Sequence, residues 1–286
     1  MNISIIGGDS RIVELIKLLS KDKNDITLFG FGKCTELENY KHASNIDEAL
    51  KDTQLIITAI PLSKNGKSIN TVYTEKTILI EDLFEKSKNK KIITGNVTEE
   101  IKKQIRTENN NEIIDILKSE ELAIMNAIPT AEGAIQVAME MSKITIHNSS
   151  CLVLGFGRIG KILSKMLAGI GANVYCEARK SHDIAWIKSY GYKAIDLEEL
   201  DCYLDRFDFV FNTIPHLILD ENKLKHISKE CILVDLASKP GGIDFDKAKK
   251  LNLKAEWALA LPGKVASKTA AVYIYDILKK EDIITK

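Results

Sequence analysis

Three glycines at positions 155, 157 and 160 have the spacing G-x-G-x-x-G, in Gly155-Phe156-Gly157-Arg158-Ile159-Gly160. Such a run binds a dinucleotide only in context: it must follow a strand and open a helix. Here the apolar SCLVL precedes it and KILSKMLAGI follows it. Gly155 permits a tight turn, Gly157 lets the backbone approach a pyrophosphate, and Gly160 lets the helix sit close on the strand. The N–H groups of the helix start, at Arg158 and Ile159, then face the phosphates. The alternative is a structural turn of the same kind with no ligand.

The end of the next strand, VYCEARK, decides which dinucleotide is expected. In NAD-binding folds an acid about 20 residues after the glycines accepts from the ribose 2′-OH. Counting from Gly160 puts Ala178 nearest that place, with Glu177 one residue earlier. Adjacent strand residues point to opposite faces, so a regular strand turns Glu177 away from the ribose. Arg179 and Lys180 follow, where cations can grip a 2′-phosphate. This predicts NADP. A Glu177 turned inward would instead favour NAD and leave the two cations solvated.

The elements that must position this loop are short apolar runs alternating with helical stretches. ISIIGG, DITLFGF, QLIITAIP, TILIEDL and KIITGNV read as strands in the first part of the chain, and SCLVLGFG, ANVYCEA, DFVFNTIP and CILVDLAS in the second. Near-continuous β-branched runs between helices imply parallel strands buried on both faces. Each half opens with a glycine turn, at Gly7-Gly8 and at Gly155, and later has a strand ending in Ile-Pro, at Pro61 and at Pro215. The expected architecture is α/β: two doubly wound Rossmann-like domains with an interdomain cleft, the C-terminal helix packing back on the first domain. Residues 1–128 with 267–286 form the first domain, 129–146 a connecting helix and 147–266 the dinucleotide-binding domain. Pro129 is taken to precede that helix, with Thr130 as its N-cap and Glu132 in its first turn. Ser267 is taken to cap the C-terminal helix.

Composition narrows the class. A chain of 286 residues, 45% hydrophobic and 28% charged, can build two cores. Lys+Arg and Asp+Glu both number 40, so no net field draws the chain to nucleic acid or an anionic membrane. No apolar run approaches a membrane span and no signal peptide is evident, so a cytoplasmic protein is expected. The five cysteines are widely spaced and lack a C-x-x-C pair; Cys151, Cys176 and Cys231 sit in strand patterns and read as buried, inert thiols. No H-E-x-x-H motif or Ser-His-Asp order occurs, and no metal is expected. In the first-domain loop IIGGDSR, Asp9 would repel a phosphate and reads with Ser10 as a helix cap. Arg11 there is either solvated or directed across the cleft to an anion.

IIGGDSR, NAIPTAEGAI, LGFGRIGK, NTIP, DLASKPGGIDF and ALPGKVASKTAA occur in an order that resembles the dipicolinate synthase A-chain family over nearly the whole sequence. PTAEG, DLASKPGG and LPGKVASKTA carry the resemblance; the glycine loop is shared with many dehydrogenases. The overall plan also resembles alanine and 2-hydroxyacid dehydrogenases. The resemblance implies oxidation of a lysine-pathway dihydrodipicolinate to dipicolinate in the mother cell during sporulation, beside a flavoprotein-like B subunit. A small dicarboxylate needs cations and N–H donors. Lys239 with Gly241 past CILVDLAS, Lys268 at the last helix, Thr130 on the connecting helix and Arg11 are the candidates. Each lysine has solvent exposure as its plain alternative. Aromatisation also releases a proton, for which His216 and Glu132 are candidate bases. Thr213 and Pro215 in NTIP are placed against the cofactor. A 2-hydroxy- or 2-amino-acid dehydrogenase and a non-catalytic nucleotide-binding scaffold remain the alternatives, and self-association is left open.

Overall fold

In a computed structural model of the chain, residues 1–284 are described. The chain divides into two compact units, Met1–Met125 with the segment from Ala266 onward, and Asn126–Val265. Of the segment 267–286 assigned to the first domain, Thr285 and Lys286 lie outside the described residues.

The first unit holds a six-stranded sheet of β1 (Asn2–Ile6), β2 (Asp25–Phe29), β3 (Lys41–His42), β4 (Leu55–Thr58), β5 (Lys91–Thr94) and β6 (Glu112–Asp115), in the order β3-β2-β1-β4-β5-β6. The second holds β7 (Ser150–Leu154), β8 (Asn173–Glu177), β9 (Lys193–Ile195), β10 (Phe209–Asn212), β11 (Ile232–Asp235) and β12 (Lys254–Trp257). Their order, β9-β8-β7-β10-β11-β12, repeats that of the first sheet. Every pairing is parallel. Both sheets are therefore doubly wound, with the strand order reversing beside the strand that leads into the glycine turn. Central strands β1, β4, β7 and β10 are buried almost throughout, because helices cover both faces.

Three local expectations need correction. TILIEDL is not a strand: from Ile80 it enters the helix Ile80–Lys86, with Ile80, Leu83 and Phe84 buried at helical spacing and Glu81 and Asp82 in its first turn. The connecting helix runs from Glu120 to Met141 with Pro129 inside it. Thr130 is thus not an N-cap; its hydroxyl donates to the Asn126 carbonyl one turn back, at 2.7 Å. Glu132 lies mid-helix and is exposed rather than in the first turn. The helix is started by Ser119, whose hydroxyl accepts from Leu122 N at 3.3 Å. Ser267 is the first residue of the last helix, Ser267–Lys280, and does not cap it.

That last helix packs on the helix Ser10–Lys21 of the first unit. Ala271, Ile274, Ile277 and Leu278 enter one core with Ile12, Leu15, Ile16 and Leu19. The Tyr275 hydroxyl donates to the Asp22 carboxylate at 2.6 Å, tying the two helices at their polar edge.

Candidate cofactor-binding and active site

The glycine loop has the geometry its sequence implies. Gly155 takes φ +89°, in the left-handed region, and a Cβ there would lie 2.6 Å from Thr213 Oγ1. A Cβ on Gly160 would lie 2.0 Å from the Gly155 carbonyl oxygen, so only glycine lets the helix start close under the turn. Gly157 differs: it is exposed, has an ordinary extended backbone, and a Cβ there would meet nothing within 4 Å. It is the N-cap of Arg158–Ile170 and has no side chain with which to cap that helix. An open glycine at the start of a 13-residue helix fits a pyrophosphate, which would take the space and face the helix-start N–H groups.

Strand parity at the end of β8 is resolved by its neighbours. Val174, Cys176 and Ala178 enter the core that contains the glycine-loop helix, whereas Tyr175 enters the core on the other face. Glu177 shares Tyr175's side. Its Oε2 accepts the Gly155 N–H at 3.2 Å, and its Oε1 is buried without a partner. Burial pushes this carboxyl above its ordinary range, while the Gly155 N–H and the nearby Arg179 charge oppose the rise. Arg179 and Lys180 follow immediately and are exposed.

The ends of β10 and β11 carry the remaining candidates of this unit's sheet edge. Thr213 donates to the Leu154 carbonyl at 2.8 Å, fixing the β10 end against the glycine turn. Pro215, His216 and Lys239 are exposed in the two loops that follow these paired strands. Gly242 O accepts from Ile218 N and Leu219 N, both at 2.9 Å, so the loops are bonded to each other. Two residues that the motif reading passed over stand behind them. Asn212 and Asp235 are fully buried register partners on β10 and β11. Their signal in the sequence was a polar residue closing each of two otherwise apolar runs, FVFN and ILVD.

One set of candidates thus gathers at the carboxyl edge of the second sheet: the glycine loop, Arg179, Lys180, Thr213, Pro215, His216, Lys239 and Gly241. Thr130 and Glu132 lie on the connecting helix, within the second unit, and Arg11 and Lys268 belong to the first. Arg11 is not solvated. It is buried, with Nε and Nη2 bonded to the Asp9 carboxylate at 2.7–3.2 Å and Nη2 also to the Ile60 carbonyl. Asp9 is the N-cap of Ser10–Lys21, accepting from Arg11 N at 3.0 Å. Lys268 is exposed and helps Lys17 hold the Glu36 carboxyl below its ordinary value. Among the described residues no group of three or more His, Cys, Asp or Glu is placed to hold a metal ion, and no helix is long and apolar enough to cross a membrane.

Comparison with known proteins bears on this geometry. Residues 2–117 match the N-terminal domain of the dipicolinate synthase A chain, and residues 112–240 match the NAD binding domain of D-isomer specific 2-hydroxyacid dehydrogenases. The chain is 33% identical over 282 residues to the dipicolinate synthase A chain of Bacillus subtilis, covering 98% of this chain and 95% of that protein. It belongs to the dipicolinate synthase A-chain family. Crystal structures of the same synthase chain from Bacillus halodurans and Bacillus subtilis superpose with TM-scores of 0.90 and 0.86, at 32% and 31% identity, and cover 99% of this chain and 98% and 96% of theirs. An L-alanine dehydrogenase, at TM-score 0.69 and 11% identity, covers 99% of this chain and 89% of its own and shares the fold alone. Within its family, then, this member carries a dehydrogenase-type domain for a nicotinamide cofactor.

Proposed function

We propose that the chain oxidises a dihydrodipicolinate to dipicolinate, with NADP as acceptor and in partnership with a B subunit, during spore formation in the mother-cell cytoplasm. Similarity along nearly the full length to the dipicolinate synthase A chain carries the reading. The reaction removes a hydride from one ring carbon and a proton from its neighbour, leaving an aromatic pyridine. When bound, the nicotinamide supplies the hydride acceptor. His216 and Lys239, on adjacent loops, are the groups placed to take the proton and to pair with a substrate carboxylate. Glu132 has weaker standing as the base, being an exposed residue in the middle of a helix. Gly241 offers backbone beside Lys239, and Thr130 of the same unit is the further proposed contact for a carboxylate; Arg11, bonded to Asp9, is withdrawn from that role.

Preference for NADP rests on Glu177. An acid that selects NAD must present an oxygen to the ribose. Here one carboxylate oxygen takes the Gly155 N–H and the other is buried. The count from Gly160 gives the place of the ribose-binding acid to Ala178, which has no polar side chain, and the exposed Arg179 and Lys180 would supply the charge a 2′-phosphate needs. The match of residues 112–240 to 2-hydroxyacid dehydrogenases favours a hydroxy- or amino-acid dehydrogenase as the second reading.

The experiment supplies freshly generated dihydrodipicolinate with NADP or NAD, with and without the B subunit, and follows dipicolinate and reduced cofactor together. Stoichiometric appearance of both, with NADP preferred and Arg179→Ala losing NADP binding selectively, is expected. No product in any combination overturns the reading. Product that needs the B subunit but survives loss of the glycine loop makes this chain a scaffold.

A further inference from the structure

We infer that Asp235 and Asn212 are positioning residues, a buried clamp that sets the two loops carrying His216 and Lys239 and so holds the nicotinamide half of the cofactor site. The inference rests on the proposed function. Asp235 is fully buried, yet its carboxylate accepts four N–H donors: Asn212 Nδ2 at 2.7 Å, Ala237 N at 3.0 Å, Gly242 N at 2.7 Å and Ile243 N at 3.2 Å. A buried carboxylate costs free energy unless its lone pairs are filled, and here they are. An apolar residue would serve the core as well, so the charge is explained by what its donors hold. Three of them belong to the segment Leu236–Ile243, which carries Lys239. The fourth is the side chain that shapes the neighbouring turn.

Asn212 performs that second task. Its Nδ2 also donates to the Ile214 carbonyl at 3.0 Å, and its Oδ1 accepts from Ile214 N at 3.1 Å, closing the turn that leads to His216. The fit leaves no slack. A Cβ on Gly242 would lie 2.2 Å from Asn212 Nδ2, and one on Gly241 3.0 Å from Asp235 Oδ2. Trp257 Nε1 donates to the Ala237 carbonyl at 2.9 Å, bracing the same loop from β12. These loops leave the carboxyl ends of paired strands, where an open sheet binds its ligand. The adenosine half is held elsewhere, by the glycine loop and the end of β8. The side-chain hydrogen bonds of the clamp run to its own two loops instead.

That separation gives the test. Adenosine 2′,5′-bisphosphate occupies only the adenosine half, whereas NADP engages both halves. Dissociation constants for both are measured by calorimetry in wild type, Asp235→Asn and Asn212→Ala, each with a thermal melt. Asp235→Asn sets an amide NH₂ against the Gly242 and Ile243 N–H groups; Asn212→Ala is the milder variant should the first not fold. Expected is a bisphosphate affinity within about twofold of wild type, while the advantage of NADP over it falls about tenfold, the size of one charge-assisted bond. Equal losses for both ligands, or an unchanged ratio in folded variants, overturn the inference. A wild-type protein that binds neither compound overturns the proposed cofactor, and the inference with it.

Discussion

Gly157→Ala and Gly160→Ala are the same chemical change three residues apart, and the geometry predicts different effects on stability. At Gly160 the added methyl would sit 2.0 Å from the Gly155 carbonyl oxygen, where ordinary contact begins near 3.4 Å. Helix and turn must separate by about 1 Å or more, an overpacking strain of roughly 1–3 kcal/mol that acts with or without ligand. At Gly157 the methyl meets no protein atom within 4 Å. Its only cost to the free protein is exchange of a glycine N-cap for alanine, roughly 0.5–1 kcal/mol. Its cost to a bound pyrophosphate is larger, because it fills the space through which the backbone N–H groups are approached. Urea melts of the free proteins and cofactor calorimetry separate the two effects. Gly157→Ala should melt close to wild type yet lose at least about tenfold in affinity, about 1.4 kcal/mol. Gly160→Ala should lose both. Wild-type cofactor affinity in Gly157→Ala would refute the placement of the pyrophosphate; wild-type stability in Gly160→Ala would refute the close packing.

Glu177 gives a pH signature. Burial raises its pKa in the folded state, so above the unfolded value of about 4.3 the native protein holds the proton longer than the unfolded chain. Stability therefore falls as pH rises from there to the raised native value, and then levels. Glu177→Gln keeps an acceptor for Gly155 N–H, so its stability relative to wild type should climb across that window; a difference that is flat with pH would count against the buried charge. Burial pushes the Cys151 thiol up to about 11 and the Cys176 thiol up to about 12, and raises Cys231 as well. An alkylating reagent at neutral pH should thus modify the exposed Cys202 first, and rapid labelling of Cys176 in the native protein would contradict its burial. Tyr275→Phe removes the bond to Asp22 and should cost about 1 kcal/mol in a denaturant melt, with no change in cofactor affinity.

What the sequence made legible followed from burial. β1, β4, β7 and β10 are covered on both faces, so each reads as an unbroken apolar run. β3, β9 and β12 lie at the sheet margins; Lys41–His42 is wholly polar, and Lys193–Ile195 and Lys254–Trp257 mix charge with apolar residues, so none left a run to find. TILIEDL misled because a buried helical turn and a buried strand share a short apolar run, here Ile78–Ile80, and only the Glu81 and Asp82 after that run distinguish them. Pro129 misled because proline favours a helix start, whereas here the helix was already nine residues long when it arrived. At the site, the glycines were legible from their spacing between an apolar strand and a helix. Asp235 and Asn212 were not, because a polar residue at a strand end has no visible partner until the register of β10 and β11 supplies one.

The two sheets share one strand order, yet only the second glycine turn is open, and the reason is local. In the first unit the backbone after β1 turns through Gly7 at φ +66° and Gly8 at φ +140°, much as a nucleotide loop would. The segment Ile69–Thr71 lies in the space a phosphate would need. Gly8 N donates to the Asn70 carbonyl at 2.9 Å, and a Cβ on Gly7 would lie 2.9 Å from the Thr71 methyl. The helix that follows is already capped by the Asp9 carboxylate, which takes the first-turn N–H and repels a second anion. Arg11, a cation otherwise suited to a phosphate, spends its charge on Asp9. Three substitutions in function thus separate one fold from its copy: a neighbouring chain segment for the pyrophosphate, an acid for the empty cap, and an internal ion pair for the ligand's charge. The first glycine turn is thus filled from within the chain, in keeping with the proposed placement of the dinucleotide at Gly155–Gly160.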